Sequence, residues 1–169
     1  FSYDNKGNLT QLVVPTTNSH SFSTNSVDKP VTDTAPSGLT TQYRYDRDRN
    51  LTDIVLPSGD ILSNTWLNGK LQRTSTPEGT INYAYSCGST LSQISKGGEQ
   101  IDYQYDGDLL ILETSAGTIN TQIGYSYNTD FRLTGLSYGG TTTTLGYDRD
   151  GLMTAINGYT LSYNPLNGL

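Results

Sequence analysis

One cysteine, Cys87, and one histidine, His20, stand in the whole chain, with one methionine and one tryptophan. A lone cysteine excludes an internal disulfide framework and any centre built from several cysteines. A lone histidine means that any triad or imidazole-based metal site has to be assembled around His20. No apolar run approaches the roughly 20 residues of a membrane helix, and no segment resembles a signal peptide. Positive charge is scarce as well: 10 Lys and Arg against 16 Asp and Glu give a net charge of -6 and a pI near 4.5. No basic cluster offsets that balance, which speaks against nucleic-acid partners and against membrane insertion.

Tyrosine, glycine and threonine are abundant instead, with 13 Tyr and 18 Gly among 169 residues. These residues suit pleated strands joined by tight turns and disfavour long helices. The expected class is all-β, in a chain long enough for one domain.

Self-similarity organises the sequence. An aromatic followed by a polar turn recurs in FSYDNKGNL from Phe1, YRYDRDRNL from Tyr43, YAYSCGSTL from Tyr83, YQYDGDLL from Tyr103, YSYNTDFRL from Tyr125, LGYDRDGLM from Leu145 and LSYNPLNGL from Leu161. Weaker copies place Thr24 and Trp66 at the aromatic position. The anchors Tyr3, Thr24, Tyr45, Trp66, Tyr85, Tyr105, Tyr127, Tyr147 and Tyr163 are thus 21, 21, 21, 19, 20, 22, 20 and 16 residues apart. Glycine turns interleave with them, among them Ser37-Gly38, Ser58-Gly59, Gly97-Gly98 and Gly139-Gly140, and the runs between alternate with the period of two that marks strands. Each repeat of about 20 residues therefore reads as one β-hairpin, and residues 1–169 as an antiparallel meander of about nine repeats.

Within Tyr-x-Tyr-Asp-x-x-Gly-x-Leu the two aromatics share a strand face, and stacked repeats are expected to align them into a ladder. Asp4, Asp46, Asp106 and Asp148 are expected to cap the turns by accepting following amides. Arg49, Ser89, Leu109, Phe131 and Asn167 stand where the repeat glycine belongs. Gly88, Gly107 and Gly168 offer shifted turns, and Asn50 is expected to take the left-handed position in place of Arg49. Phe131 has no comparable substitute. Residues 15–36, rich in Ser, Thr and Asn, read as a degenerate, irregular repeat or a protruding loop. One hairpin cannot bury its own face, so neighbouring repeats must supply stability. Phe1 opens inside one copy and Leu169 closes inside another, so a longer parent chain is expected.

Several clusters imitate chemistry. Asp46, Asp48 and Asn50 alternate like the start of an EF-hand loop, but Leu51 occupies the glycine position and Pro57 the bidentate glutamate position. His20 has Ser19, Ser21 and Asp28 nearby in sequence, which does not make a triad. Cys87 sits in a turn with no neighbouring histidine. Asp106 and Asp108 form a carboxylate pair of the kind glycosidases use, yet similar pairs recur at Asp46/Asp48 and Asp148/Asp150, and recurrence points to structure. No catalytic, cofactor or metal site is expected.

Tyr3-Asp4-Asn5-Lys6-Gly7-Asn8-Leu9 and Tyr147-Asp148-Arg149-Asp150-Gly151-Leu152 resemble the YD-repeat, or Rhs-repeat, family, and the likeness extends over nearly the whole chain. The resemblance implies a curved β-strip that spirals into a hollow shell or barrel, as in Rhs toxins, Tc-toxin shell components and teneurins. It implies a secreted or bacterial cell-surface protein whose shell helps to enclose a C-terminal effector or toxin beyond these residues. Its partners are then neighbouring repeats, or copies pairing edge to edge, and the toxin cargo. The family's self-cleavage signature is only loosely matched by Asn164-Pro165-Leu166-Asn167-Gly168-Leu169, which lacks the Asp. The alternative is an extracellular adhesion or carbohydrate-binding module that presents Tyr and Trp66 to glycans.

Overall fold

The computed structural model describes residues 1–15 and 18–163. Two units make up the chain, 1–83 and 84–169. The first contains β1 (Ser2–Tyr3), β2 (Leu9–Val13), β3 (Ser19–Thr24), β4 (Pro30–Thr34), β5 (Thr40–Tyr45), β6 (Leu51–Val55), β7 (Ile61–Leu67), β8 (Lys70–Thr76) and most of β9 (Gly79–Tyr85). The second contains β10 (Leu91–Lys96), β11 (Glu99–Asp106), β12 (Leu109–Ala116), β13 (Thr121–Tyr127), β14 (Leu133–Tyr138), β15 (Thr141–Tyr147), β16 (Met153–Ile156) and β17 (Tyr159–Thr160). Among the described residues there is no helix, and these seventeen antiparallel strands form one open sheet in which each pairs with its successor. The expected all-β hairpin meander is the fold.

Register fixes which residues share a face, because residues directly opposite each other project to the same side. In the first unit Tyr43 lies opposite Ile54, and Ile54 opposite Leu62. In the second, Tyr103 faces Glu113 and Glu113 faces Ile123, while Tyr125 faces Leu136. This is the tyrosine face. The other face is mostly polar or small: Arg44 opposite Asp53, Asp102 opposite Thr114, Ser126 opposite Gly135. It is laced by hydrogen bonds, with Gln93 and Gln100 both donating to Asp102 at 2.7 Å and Ser63 to Asp53 at 2.7 Å.

The tyrosine ladder expected from sequence does not form in its simple sense. Each repeat contributes two strands, so tyrosines of successive repeats sit on alternate strands, roughly 9.6 Å apart at about 4.8 Å per strand. Where the register defines them, the direct opposites of these tyrosines are apolar residues or, for Tyr103, a glutamate. Within residues 15–36, which read from sequence as a degenerate repeat or a protruding loop, Thr16 and Thr17 lie outside the described residues, and β3 and β4 pair in register, Ser21 with Thr34 and Phe22 with Asp33.

No hydrophobic side chain among the described residues is fully buried; Gly135 is the one buried residue. The tyrosines at 43, 45, 83, 85, 103, 105, 125, 127 and 147 are half-buried within the sheet surface. The accessible area of 11,619 Å² compares with about 8,200 Å² for a compact 18.4 kDa chain.

Candidate functional site

The repeated corner is where this sequence concentrates its polar chemistry, and it follows one construction. At the corner beginning with Asp46, the Asp46 N–H donates to Asn50 O at 3.0 Å and the Arg49 N–H returns to Asp46 O at 3.2 Å. The same pair of bonds closes the corners that begin at Asp4, Asn25, Ser86, Asn128 and Asp148. Four of these add a side-chain cap, in which one oxygen accepts two amides: Lys6 and Asn8 for Asp4, Val27 and Lys29 for Asn25, Asp130 and Arg132 for Asn128, Asp150 and Leu152 for Asp148, all at 2.9 to 3.0 Å. Asp106 departs from the scheme: Gly107 and Asp108 form a two-residue turn between Asp106 and Leu109, with Gly107 at φ 59°.

The fourth residue of each corner takes positive φ whatever its identity: Gly7, Asp28, Arg49, Ser89, Phe131 and Gly151. Arg49 itself is left-handed at φ 68°, so Asn50 does not relieve it. The reason is geometric, since the position after Arg49 must present both its N–H and its carbonyl to Asp46. Asn50 uses its N–H to reach Asp46 Oδ1 at 2.9 Å and its side-chain amide to reach Oδ2 at 3.0 Å. Gly88 likewise leaves the left-handed position to Ser89, at φ 77°. Gly168 and the corner around Asn167 lie outside the described residues.

These bonds hold Asp4 and Asp46 below the ordinary aspartate value of 3.8, chiefly through the Asn8 and Asn50 side-chain amides. A carboxyl held low in the folded state stabilises above its unfolded pKa, and that contribution disappears as pH falls through the folded value. Replacing Asp4 and Asp46 by Asn keeps the Oδ1 cap, as Asn25 and Asn128 demonstrate, but sets an NH2 group against the Asn8 and Asn50 side-chain amides where Oδ2 accepted them, and removes the titration. The double variant is expected to be less stable than the parent near pH 7 and to lose less melting temperature between pH 5 and about 2. Parallel acid denaturation curves for the two proteins would refute this.

Neighbouring corners are tied together. Lys6 Nζ donates to Ser26 O at 3.0 Å and pairs with Asp28 at 3.2 Å, and Asn8 donates to Asp28 at 2.9 Å. Arg132 reaches across to Asp148 O at 3.1 Å.

Every anchor whose pairing is defined sits at a β-bulge. The register shifts immediately before Tyr3, Thr24, Tyr45, Trp66, Tyr105, Tyr127 and Tyr147. A bulge frees backbone groups from the ladder and adds local twist. The polar tip of a later anchor reaches the carbonyl of a residue opposite such a bulge: Trp66 Nε1 donates to Leu51 O at 2.9 Å, and the Tyr127 hydroxyl to Leu110 O at 2.8 Å. Both acceptors belong to the preceding repeat. Tyr85 closes β9, and Tyr163 is exposed beyond β17.

The residues that imitate an active centre do not converge. His20 Nδ1 lies 3.4 Å from Asp33 Oδ1, and its ring stacks on Phe22 with centroids 6.1 Å apart. Ser19 and Ser21 flank His20 in β3 and so project to the opposite face, while Asp28 is engaged at its corner. Asp46, the first member of the EF-hand-like run, spends both carboxylate oxygens on Asn50. Cys87 is exposed in the corner from Ser86 to Thr90.

Bulged hairpins with capped corners, following one another along the chain, define a β-hairpin repeat protein. The sequence matches the Teneurin YD-shell family over residues 1–168, and the chain belongs to that family. Sequence comparison with curated proteins finds no match. Among solved structures, the TcdB2-TccC3 complex without its hypervariable C-terminal region is similar, with a TM-score of 0.71 and 16% identity over 92% of this chain. A mutant Tc holotoxin pore from Photorhabdus luminescens is similar with a TM-score of 0.66 and 16% identity over 82%. The chain spans only 11% and 9% of the lengths of these two relatives. At 16% identity the likeness to these structures is one of fold.

Proposed function

We propose that this chain is a stretch of YD-shell wall whose tyrosine face is turned toward an enclosed volume, and that the parent protein, secreted or displayed at a bacterial surface, keeps a C-terminal effector inside. The supporting observation is the two-sidedness of a sheet without a buried core. One face is mostly aromatic and aliphatic, the other is hydrogen-bonded and polar, and no hydrophobic side chain among the described residues is fully buried. A single sheet with one apolar face is stabilised when that face is removed from bulk water, and further repeats cap its edges. The neighbouring repeats and the enclosed effector are then its partners.

Protease digestion of the parent protein tests this. The portion C-terminal to the repeats is expected to resist digestion while the wall is intact and to be cleaved once the wall is opened by mild denaturant. Cleavage at the same rate in both conditions would overturn the reading. An adhesive role predicts instead glycan-array binding that Trp66→Ala abolishes, a result equally incompatible with an inward tyrosine face.

A further inference from the structure

On the tyrosine face of the second unit Lys96 lies opposite Glu99, and Glu113 is a further carboxylate with uncharged residues directly opposite it. Glu113 on β12 lies directly opposite Tyr103 on one side and Ile123 on the other. Tyr125 stands two residues along β13 from Ile123, on the same face and diagonal to Glu113. Burial first, and the Glu113 charge second, push the Tyr103 and Tyr125 phenols up, as expected of a carboxylate set between two half-buried rings. Among the described residues the ion pairs are Lys6–Asp28 and His20–Asp33, and no cation meets Glu113.

Two hollows flank this carboxylate along the strand direction. Toward one end, two residues from Tyr103, Ile101 opposes Ile94, and together with Ala116 and Ile119 they form the apolar part of a cavity of about 300 Å³ whose rim carries Lys96 and Glu99. Toward the other, Tyr103 and Tyr105 line a cavity of about 410 Å³ with Ser92, Thr90 and Asp108. Apolar, acidic and polar stations thus succeed one another at the two-residue period of a β-strand, about 6.6 Å per step.

We propose that the tyrosine face over β10–β13 is a groove for an extended polypeptide that carries an aliphatic side chain two residues from an arginine or lysine. The aliphatic side chain enters the Ile94–Ile101 hollow. The cation meets Glu113 between the Tyr103 and Tyr125 rings, where the carboxylate supplies charge complementarity and the rings a cation–π contribution. The chain's net charge of -6 favours a basic occupant. An extended segment is the occupant because its same-side residues repeat at the spacing of these stations. The proposal rests on the reading that this face meets another polypeptide, but it is tested on the 169-residue chain itself and so fails or stands separately from the protease experiment.

Fluorescein-labelled, acetylated and amidated peptides are titrated with the chain by fluorescence polarisation: Thr-Ile-Thr-Arg-Thr-Thr, its Arg-to-Gln form, and its Ile-to-Thr form. The arginine peptide is expected to bind about tenfold more tightly than the glutamine form and about fivefold more tightly than the form without isoleucine. Glu113→Gln is expected to erase the difference between arginine and glutamine. Equal affinity for the arginine and glutamine peptides overturns the proposal, as does an arginine preference that survives in E113Q or an absence of binding at millimolar peptide. Because the charge is removed from the peptide in one arm and from the protein in the other, a folding defect in the variant cannot decide the outcome.

Discussion

Truncating Tyr127 to alanine is expected to destabilise the second unit by about 3 kcal/mol, and Tyr127→Phe by about 1 kcal/mol. The larger figure combines loss of a half-buried ring, packed opposite Leu133 on the tyrosine face, with loss of the bond to Leu110 O. The smaller isolates the bond. Leu110 lies opposite Tyr105 at the bulge, and the Tyr127 hydroxyl reaches back one repeat to its carbonyl. Trp66→Phe is expected to cost less than Tyr127→Phe, because Leu51 O keeps the Asn64 side-chain amide at 3.1 Å. Urea unfolding of the three variants measures the differences. A Tyr127→Phe protein as stable as the parent would mean that the repeat-to-repeat bond contributes nothing, and the preference for tipped aromatics at the anchors would need another cause.

Gly151→Val is expected to cost about 2 to 3 kcal/mol, while Arg49→Gly stabilises by up to about 1 kcal/mol. Both sites are the fourth residue of a corner, at φ 87° and 68°. At Gly151 two penalties combine: a β-branched residue in the left-handed region, and a Cβ that would lie 2.9 Å from the Arg132 guanidinium. That guanidinium donates to Asp148 O and ties one corner to the next, so displacing it loosens two repeats. Arg49 is exposed in the same conformation, and glycine there relieves strain with little packing lost. Thermal unfolding of both variants decides the matter, and a Gly151→Val protein that melts with the parent would refute the shared corner geometry.

The period was legible in the sequence because anchors and glycines recur at nearly constant spacing, and that spacing sufficed for strand positions and hairpin connectivity. The corner caps were legible at Asp4, Asp46 and Asp148 from the turn chemistry of aspartate. Three features were not. Arg49 and Phe131 adopt positive φ because the bonds at the first and fifth corner positions fix the fourth, and intrinsic preference for Asn50 cannot override two backbone bonds. The tyrosines do not form a continuous ladder because the intervening strand of each repeat separates them, a consequence of pairing order that side-chain alternation alone does not reveal. Glu113 looks like one more acidic residue until register places it opposite Tyr103. The bulges have a sequence correlate: Thr24 apart, the bulged anchors Tyr3, Tyr45, Trp66, Tyr105, Tyr127 and Tyr147 all carry an O–H or N–H at the ring tip, and none is phenylalanine.

Orientation of the tyrosine face is the claim on which the shell reading turns. In a cysteine-free version of the intact parent protein, a single cysteine at Ile123 reports on that face and one at Gln122 on the other, since β13 alternates sides. Maleimide labelling of the native protein is expected to modify the Gln122→Cys site rapidly and the Ile123→Cys site only after denaturation. Equal labelling of the two sites, or faster labelling at Ile123→Cys, would contradict an enclosed tyrosine face.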